Sequence, residues 1–489
     1  MKIFEVLSRK KFILNLLILV FSIRFLQSFC MLKHGDSLYY HLVGGRYWVE
    51  TSLIEMTKSF HPFFLAGLFD YLYVIPNFFF GPTLLTQVVG QNMHFMFSMG
   101  LGSFILFNYF RGSIWAYLGP LLILTISKSQ DFFFYAKNDG VVASLGLLAA
   151  ILIIEKDSIK RLTGYYRFAI IGILLGLLPA IKMYGLFASA SLGLVLIYLN
   201  YKEWKKILLV CVLGLLTWSP ILIRNYIFLD TAIFPGLLNR FPGNLTEGMI
   251  AYLTNSLNAS VGFAEVLSHL RAAFMGKIVF LLSPALFIFN YKFKKIGNLY
   301  LILVFLFMAF YGGLNGGWIF ERYYFVCYFW LSLFLVKSLS QYELKRWMIP
   351  LLLVLILVDG RVDLGVSRIS KTFKLYLTAK NSTAVVRKIS KFTEFWDFVE
   401  PNSLVLSDRA SEVFYAPAGV RLHNYTESRE AEFIYRCKEE NLVQLKAYSY
   451  FIKERNLENP CYQKILEKGT LLHQVFNYKL YDIRGILKD

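Results

Sequence analysis

FILNLLILVFSIRFLQSFC fills positions 12–30, and MLKHGDSLYYH follows at 31–41. The first stretch is close to the roughly 20 apolar residues a membrane-spanning helix needs. Lys2, Arg9, Lys10 and Lys11 precede it, a basic flank that marks the cytoplasmic side. A cleaved signal peptide is the rival reading. The run is long for the apolar part of one, however, and no small-x-small cleavage site follows it. A first transmembrane helix with its N-terminus in the cytoplasm is therefore expected. Everything from position 31 then emerges on the opposite face, where Asp36, Tyr39, Tyr40 and His41 stand almost side by side, followed by Arg46, Glu50, Glu55 and the pair His61-Pro62. A carboxylate, two phenols and an imidazole gathered at a membrane surface call for a chemical explanation.

The rest of the chain extends this reading. Of its 489 residues, 56% are hydrophobic and 17% aromatic, against roughly 45–50% apolar in soluble domains. Further apolar runs lie at 83–109, 113–128, 140–154, 168–181, 184–200, 207–222, 277–291, 299–315, 323–337 and 348–359. With the first helix they predict about eleven to thirteen spans, several of them short. Phe60 to Phe80 is apolar but broken by Pro62, Asp70 and Pro76, as a re-entrant or short segment would be. Residues 36–50 mix polar and aromatic positions as a helix lying along the interface does.

A charge of +19, from 51 Lys and Arg against 32 Asp and Glu, would suggest nucleic acid in a soluble protein. Here the basic residues collect in short connections: Arg111; Lys156, Lys160, Arg161 and Arg167; Lys202, Lys205 and Lys206; Lys292, Lys294 and Lys295; Lys345 and Arg346. These are the connections an alternating topology puts in the cytoplasm, as the positive-inside rule requires. No nucleic-acid module is expected. The opposite face collects Asp36, Lys137-Asn138-Asp139, Lys182, Arg224-Asn225 and Glu321-Arg322. Any one set could be an interface anchor, but five on one face read as a site.

After Asp359 the composition becomes mixed. Residues 1–359 form the transmembrane domain, with a first external loop at 31–82, and 360–489 a small α/β domain on the extracytoplasmic side. Ser403–Asp408 reads as a buried strand, 427–455 as helical, and 472–481 as a hairpin around Asn477. Cys30, Cys211, Cys327, Cys437 and Cys461 show no CxxC spacing, which excludes the usual zinc and dithiol motifs. A Cys437–Cys461 disulfide is open if the tail lies outside the cytosol.

In order along the chain, Asp36-Ser37-Leu38-Tyr39-Tyr40-His41, His61-Pro62, Lys137-Asn138-Asp139, Pro179–Tyr184 with Lys182 at its centre, Trp218–Pro235 with Arg224-Asn225-Tyr226, and Arg322-Tyr323-Tyr324 resemble the motifs of the GT-C superfamily. Those polyprenyl-phosphate-sugar glycosyltransferases include protein O-mannosyltransferases and lipid A aminoarabinose transferases. The resemblance covers roughly positions 30–325, and is strongest to bacterial members. It departs where many relatives carry an adjacent acidic pair, since Asp36 is followed by Ser37.

The resemblance implies a polytopic helical bundle with a small extracytoplasmic α/β domain, in a bacterial inner membrane. It also implies an inverting transfer of sugar from a polyprenyl-phosphate donor to a glycan, lipid or protein acceptor. Asp36 would be the general base taking the acceptor's hydroxyl proton, although an Asp before a helix is also an N-cap. Lys182, Arg224 and Arg322 would stabilise the leaving phosphate, or else snorkel to lipid headgroups. Lys182 interrupts the apolar stretch from Ile170 to Leu199, where charge is costly. Tyr39, Tyr40, His41, His61, Lys137, Asn138, Asp139, Asn225 and Tyr323 would line the substrates. Whether Asp36 and Asp139 hold a divalent cation, Mg2+ or Mn2+, stays open. Two rival readings are an O-antigen ligase or polymerase and a lipid-linked-glycan transporter.

Overall fold

The computed structural model describes residues 10–30, 38, 41–50, 67–125, 137–155, 164–233, 288, 298–315, 324–341, 348–359, 362–407, 413–424, 439–453 and 460–486. The chain divides into two compact units. The first comprises 1–30, 91–220 and 256–373, and the second 31–90, 221–255 and 374–489.

The first unit is a helical bundle. Its centre is the Asp139–Ile154 helix, buried on nearly every side, as an all-round apolar sequence demands. Phe325–Ser340, equally buried, packs along it, as do Gly164–Ile181 and Gly185–Asn200. Trp330 Nε1 donates to Gly146 O at 3.0 Å, where a Cβ on Gly146 would stand 2.8 Å from Val326. The charged groups of the Asp139–Ile154 segment sit at its ends. Asp139 opens it, and Glu155 just beyond it meets Lys337 Nζ at 3.1 Å and the Tyr300 hydroxyl at 3.1 Å.

Among the described residues, Gly164–Ile181 and Trp204–Leu229 are long and apolar enough to cross a membrane, while other apolar runs form helices of 10–17 residues. Trp204–Leu229 has 26 residues, about 39 Å at 1.5 Å per residue, against a hydrocarbon core of about 30 Å. Leu208, Val212, Leu215, Leu216 and Ile223 along it are exposed, an apolar face suited to lipid and unsuited to water. The expected 83–109 run is helical throughout, with a π-helical turn at Met96–Gly100 between Leu84–Phe95 and Leu101–Tyr109.

Two proline positions show how the bundle repairs its backbone. Pro179 cannot donate to Leu175 O, and Ser189 Oγ of the next helix does so at 2.7 Å. Pro220 leaves Leu216 O likewise, and Ser219 Oγ donates to it at 2.8 Å. The Gly164–Ile181 and Trp204–Leu229 helices approach closely at small residues: a Cβ on Gly176 would lie 2.2 Å from Gly214 O and 2.7 Å from Thr217 Cβ. Such contacts substitute for a hydrophobic driving force between helices in lipid.

The second unit carries a five-stranded sheet of order β2-β1-β3-β5-β4. β1 (Leu404–Ser407), β2 (Arg421–Asn424) and β3 (Tyr450–Lys453) are parallel. β4 (Thr470–Val475) and β5 (Tyr478–Asp482) form an antiparallel hairpin whose turn holds Phe476 at φ 53°. The expected strand at 403–408 and hairpin at 472–481 are present. The helical reading of 427–455 is corrected: Glu439–Ala447 is 3-10 helix and β3 follows it. Tyr450, Phe451 and Ile452 are all buried, between β1 and β5, so β3 shows none of the alternation that signals a half-exposed strand. The helices Val362–Thr378, Ser382–Ile389 and Pro460–Lys468 and the short strand β2 were not anticipated. Cys461 is buried beneath the sheet and disulfide-bonded, while Cys30, Cys211 and Cys327 are free thiols. Cys437 lies outside the described residues.

Phe60–Phe80, expected to be re-entrant or a short span, is described from 67 onward. There it is a 3-10 turn, Leu68–Tyr73, and a seven-residue helix, Val74–Phe80.

Two predictions follow from packing. Gly176→Val forces the two helices apart, and a branched side chain in such a contact costs about 1–3 kcal/mol; the thermal midpoint of the full chain in detergent falls, whereas Gly193→Ala, where a Cβ meets nothing within 4 Å, leaves it unchanged. The second concerns His423 on β2, whose Nδ1 lies 3.0 Å from the Tyr448 hydroxyl. Burial, aided by the Arg421 charge, pushes its pKa down to about 3. The unfolded chain therefore binds a proton below about pH 6.5 that the folded chain refuses until about pH 3. Stability falls as pH drops through that window, by about 2 kcal/mol between pH 7 and 5. His423→Asn flattens this part of the pH profile of thermal unfolding.

Candidate active site

In the first unit the break between Gly164–Ile181 and Gly185–Asn200 meets the start of Asp139–Ile154. A helix end leaves carbonyls without intrahelical partners, and Asn138 Nδ2 donates to one of them, Ile181 O, at 2.9 Å. Tyr184, just past the break, donates its hydroxyl to Asp139 O at 2.8 Å. A Cβ on Gly185 would lie 2.2 Å from Leu178 O, so only glycine lets the chain reverse this tightly. These contacts fix Lys182 in the elbow, 8% exposed, with Nζ 4.0 Å from Oδ1 of the fully buried Asp139. Lys137 and Asn138 are also buried.

The electrostatics follow from the position. Asp139 lies in the first helical turn, where the helix dipole favours a carboxylate. Lys182 supplies the opposite charge that a buried carboxylate requires. The 4.0 Å separation is at the outer limit of an ion pair, close enough for each charge to balance the other. Gly140 N–H donates to His94 Nε2 at 3.3 Å, which ties the helix start to the neighbouring Leu84–Phe95 helix and leaves the neutral ring's proton on Nδ1. Ser144 Oγ repeats this tie one turn on, donating to Ser98 O at 2.5 Å.

In the second unit, His41 enters the Leu42–Glu50 helix with Nδ1 2.6 Å from Asp70 Oδ1. The other Asp70 oxygen accepts Gly67 N–H at 2.7 Å. Asp70 thus orients the imidazole with its Nδ1 proton toward the carboxylate. The same 3-10 turn presents Tyr71, whose hydroxyl accepts from Arg224 Nη1 at 2.8 Å. Asn225 Oδ1 accepts from Arg224 Nε and Nη2 at 3.0 and 2.8 Å.

The Leu42–Glu50 helix is fastened further by Arg46. Its Nη1 and Nη2 donate to Phe414 O and Pro417 O at 2.9 and 2.6 Å, and its Nε to Glu50 Oε1 at 2.8 Å. Tyr47 donates its hydroxyl to Val420 O at 3.0 Å, and Gly419 N–H donates to Glu50 Oε2 at 3.3 Å. Burial pushes the Tyr47 phenol up to about 12, so it stays a donor at neutral pH.

Of the residues singled out in sequence, Lys137, Asn138, Asp139 and Lys182 come together in the first unit. In the second, Arg224 and Asn225 are adjacent and bonded, and His41 and Arg224 each bond a residue of the Leu68–Tyr73 turn. Asp36, Tyr39, Tyr40, His61, Arg322 and Tyr323 lie outside the described residues. His94 and Tyr184 at the elbow, and Asp70 and Tyr71 in the turn, were not among the candidate site residues. Their signals were a lone histidine inside the apolar 83–109 run, the tyrosine that closes the Pro179–Tyr184 motif, and an aspartate interrupting 60–80. Among the described residues no group of three or more His, Cys, Asp or Glu could hold a metal ion.

The fold was compared with solved structures. ArnT from Cupriavidus metallidurans, in the apo state, matches with a TM-score of 0.61 over 96% of this chain and 97% of that one, at 12% identity. The same protein bound to undecaprenyl phosphate matches with the same values. The chain has the fold of ArnT. No protein-family model matches the chain, and no curated protein does. That fold is the one expected from the ordered motifs.

The elbow generates a double-mutant test. Asp139→Ala or Lys182→Met alone leaves a buried charge without its partner, at a cost of about 3–5 kcal/mol. The double variant loses less than the sum of the two, read as the thermal midpoint of the full chain in detergent.

Proposed function

We propose that this chain is a GT-C glycosyltransferase that moves a sugar, with inversion, from a polyprenyl-phosphate carrier to an acceptor on the extracytoplasmic face. The carrying observation is the buried Lys182–Asp139 pair at the elbow of a helical bundle that has the fold of ArnT. ArnT has been crystallised with undecaprenyl phosphate. A lysine kept charged inside an apolar bundle is expensive, and a lipid-linked phosphate is an anion such a position can serve.

In this reading Lys182 is the point charge on the donor phosphate, and Asp139 balances it. Arg224 and Arg322 add guanidinium donors suited to phosphate oxygens. As the bond from the anomeric carbon to the phosphate oxygen breaks, negative charge builds on the leaving group, and these cations stabilise it most at that moment. Asp36 takes the proton of the attacking hydroxyl. Tyr39, Tyr40, His41, His61, Lys137, Asn138, Asn225 and Tyr323 line the sugar and the acceptor. The N-terminus is cytoplasmic, the membrane a bacterial inner membrane, and the acceptor a glycan, lipid or protein of the envelope. Lipid-linked donors suit a site on that face, because nucleotide sugars are cytosolic.

The test is lipid-linked sugar and glycan profiling of a deletion strain, complemented at equal membrane expression with wild type, Asp36→Asn or Lys182→Ala. Wild type restores the missing glycan residue and removes an accumulated polyprenyl-phosphate sugar. Each variant retains at most about one hundredth of the activity, the usual consequence of losing a general base or a charge-stabilising donor. Full complementation by Asp36→Asn makes Asp36 a helix cap. An unchanged glycan profile in the deletion strain favours a transporter, whose broken helices also carry charged residues.

A further inference from the structure

The second unit holds a cavity of about 280 Å³ remote in sequence from the elbow. Its lining includes Ser382 and Thr383 at the start of the Ser382–Ile389 helix, Arg387 one turn on, Trp396 and Asp397 from the 3-10 segment Lys391–Phe398, and Tyr415. Arg387 Nη2 donates to both Asp397 oxygens, at 2.7 and 2.5 Å. Tyr415 is held by a hydrogen bond from its hydroxyl to Gln87 Oε1, and the Asn381 side chain accepts Ala384 N–H at 2.8 Å. The walls are therefore fixed, while Thr383, Arg387 and Asp397 stay exposed on the cavity's rim.

Chemistry narrows the occupant. The charged groups in the lining are Arg387 and Asp397, which neutralise each other, so the cavity has no net charge to attract phosphate and no carboxylate cluster for a metal. It offers a carboxylate acceptor and a guanidinium donor locked side by side, four hydroxyl-bearing Ser and Thr positions in Thr83, Ser382, Thr383 and Thr393, and two aromatic side chains. A ligand carrying neighbouring hydroxyls, each both donor and acceptor, can use all of these. The volume is at the lower edge of the roughly 300–1,000 Å³ of drug-sized sites, too small for a nucleotide.

Position narrows it further. Pro82, Thr83 and Leu84 also line it. They directly follow the Val74–Phe80 helix, where Phe78 and Phe79 are each 70% exposed and Phe80 42%. Three consecutive exposed phenylalanines make an apolar surface suited to lipid. In the transferase reading that surface meets the membrane, and the Pro82–Leu84 wall of the cavity follows it in the chain.

We infer that this cavity is a binding site for a neutral sugar ring, belonging to the glycan head of a membrane-borne acceptor. The acceptor role rests on the transferase reading above; the sugar-binding role does not. The site holds the acceptor by a residue other than the one that reacts, and so selects acceptors by a sugar that the chemistry never touches.

The experiment uses the full chain in detergent, with a printed array of neutral mono- to tetrasaccharides as the probe and undecaprenyl phosphate binding measured in parallel. Thr383→Trp fills the cavity from an exposed position, and saccharide binding is lost. Asp397→Asn with Arg387→Gln breaks the ion pair with neutral, hydrogen-bonding side chains, and binding weakens at least tenfold. Lys388→Gln, on the same helix and outside the lining, binds as wild type does. All three variants bind undecaprenyl phosphate normally, whereas Lys182→Ala shows the reverse pattern.

The inference is overturned if wild type binds no saccharide on the array, or if Thr383→Trp binds as well as wild type. Failure of wild type to bind undecaprenyl phosphate counts against the transferase reading, and leaves the saccharide result to judge the cavity. A preference for charged over neutral saccharides on a second, sulfated and phosphorylated array also overturns it.

Discussion

Placing a lysine and an aspartate inside an apolar helical bundle is costly unless the two meet, and much of the first unit's local geometry is explained by making them meet. The helix that carries Lys182 must stop, and Pro179 and Gly185 on either side of the stop allow the chain to bend back. Stopping a helix exposes carbonyls, and Asn138 takes one of them. The helix that carries Asp139 must begin at the same place, and Tyr184 and His94 hold that beginning. Proline removes a backbone donor, and Ser189 restores one. Asn138, Tyr184, His94 and Ser189 thus each bond a backbone group at or near the break.

The second unit solves a different problem. A short helix such as Leu42–Glu50 has too few residues to be stable alone. It is held instead by Arg46, Tyr47 and Glu50, which bond backbone groups between Phe414 and Val420 some 370 positions later in sequence. Charge-assisted bonds to carbonyls are the strong kind, and a guanidinium can serve several at once where an ammonium could not. His41 at one end of the helix is oriented by Asp70. The Leu42–Glu50 helix is therefore held within the compact unit that carries the small sheet.

Most helices were legible because lipid and helix packing both demand long apolar runs, and such runs are visible without neighbours. The Met348–Asp359 helix falls where the 348–359 run predicts it, and Asn298–Asn315 begins one residue from its expected start. The hairpin β4–β5 was visible through its alternation and its turn. β3 was not, because a strand buried on both faces has the composition of a buried helix. β2 is four residues, Arg421–Asn424, with polar residues at both ends, and carries too little pattern to be seen at all.

Sequence alone determined the class of the molecule: a chain of apolar runs separated by basic connections, ending in a mixed domain, with acidic and basic residues gathered at one set of helix ends. These are properties of composition and order, and they survive without knowing which run lies beside which. Tertiary structure decided the partners. Asp139 and Lys182 are 43 positions apart, His41 and Asp70 are 29 apart, and no local periodicity relates either pair. They are neighbours because a buried charge and a helix end must each be satisfied by whatever the fold brings near, and only the packed chain states what that is.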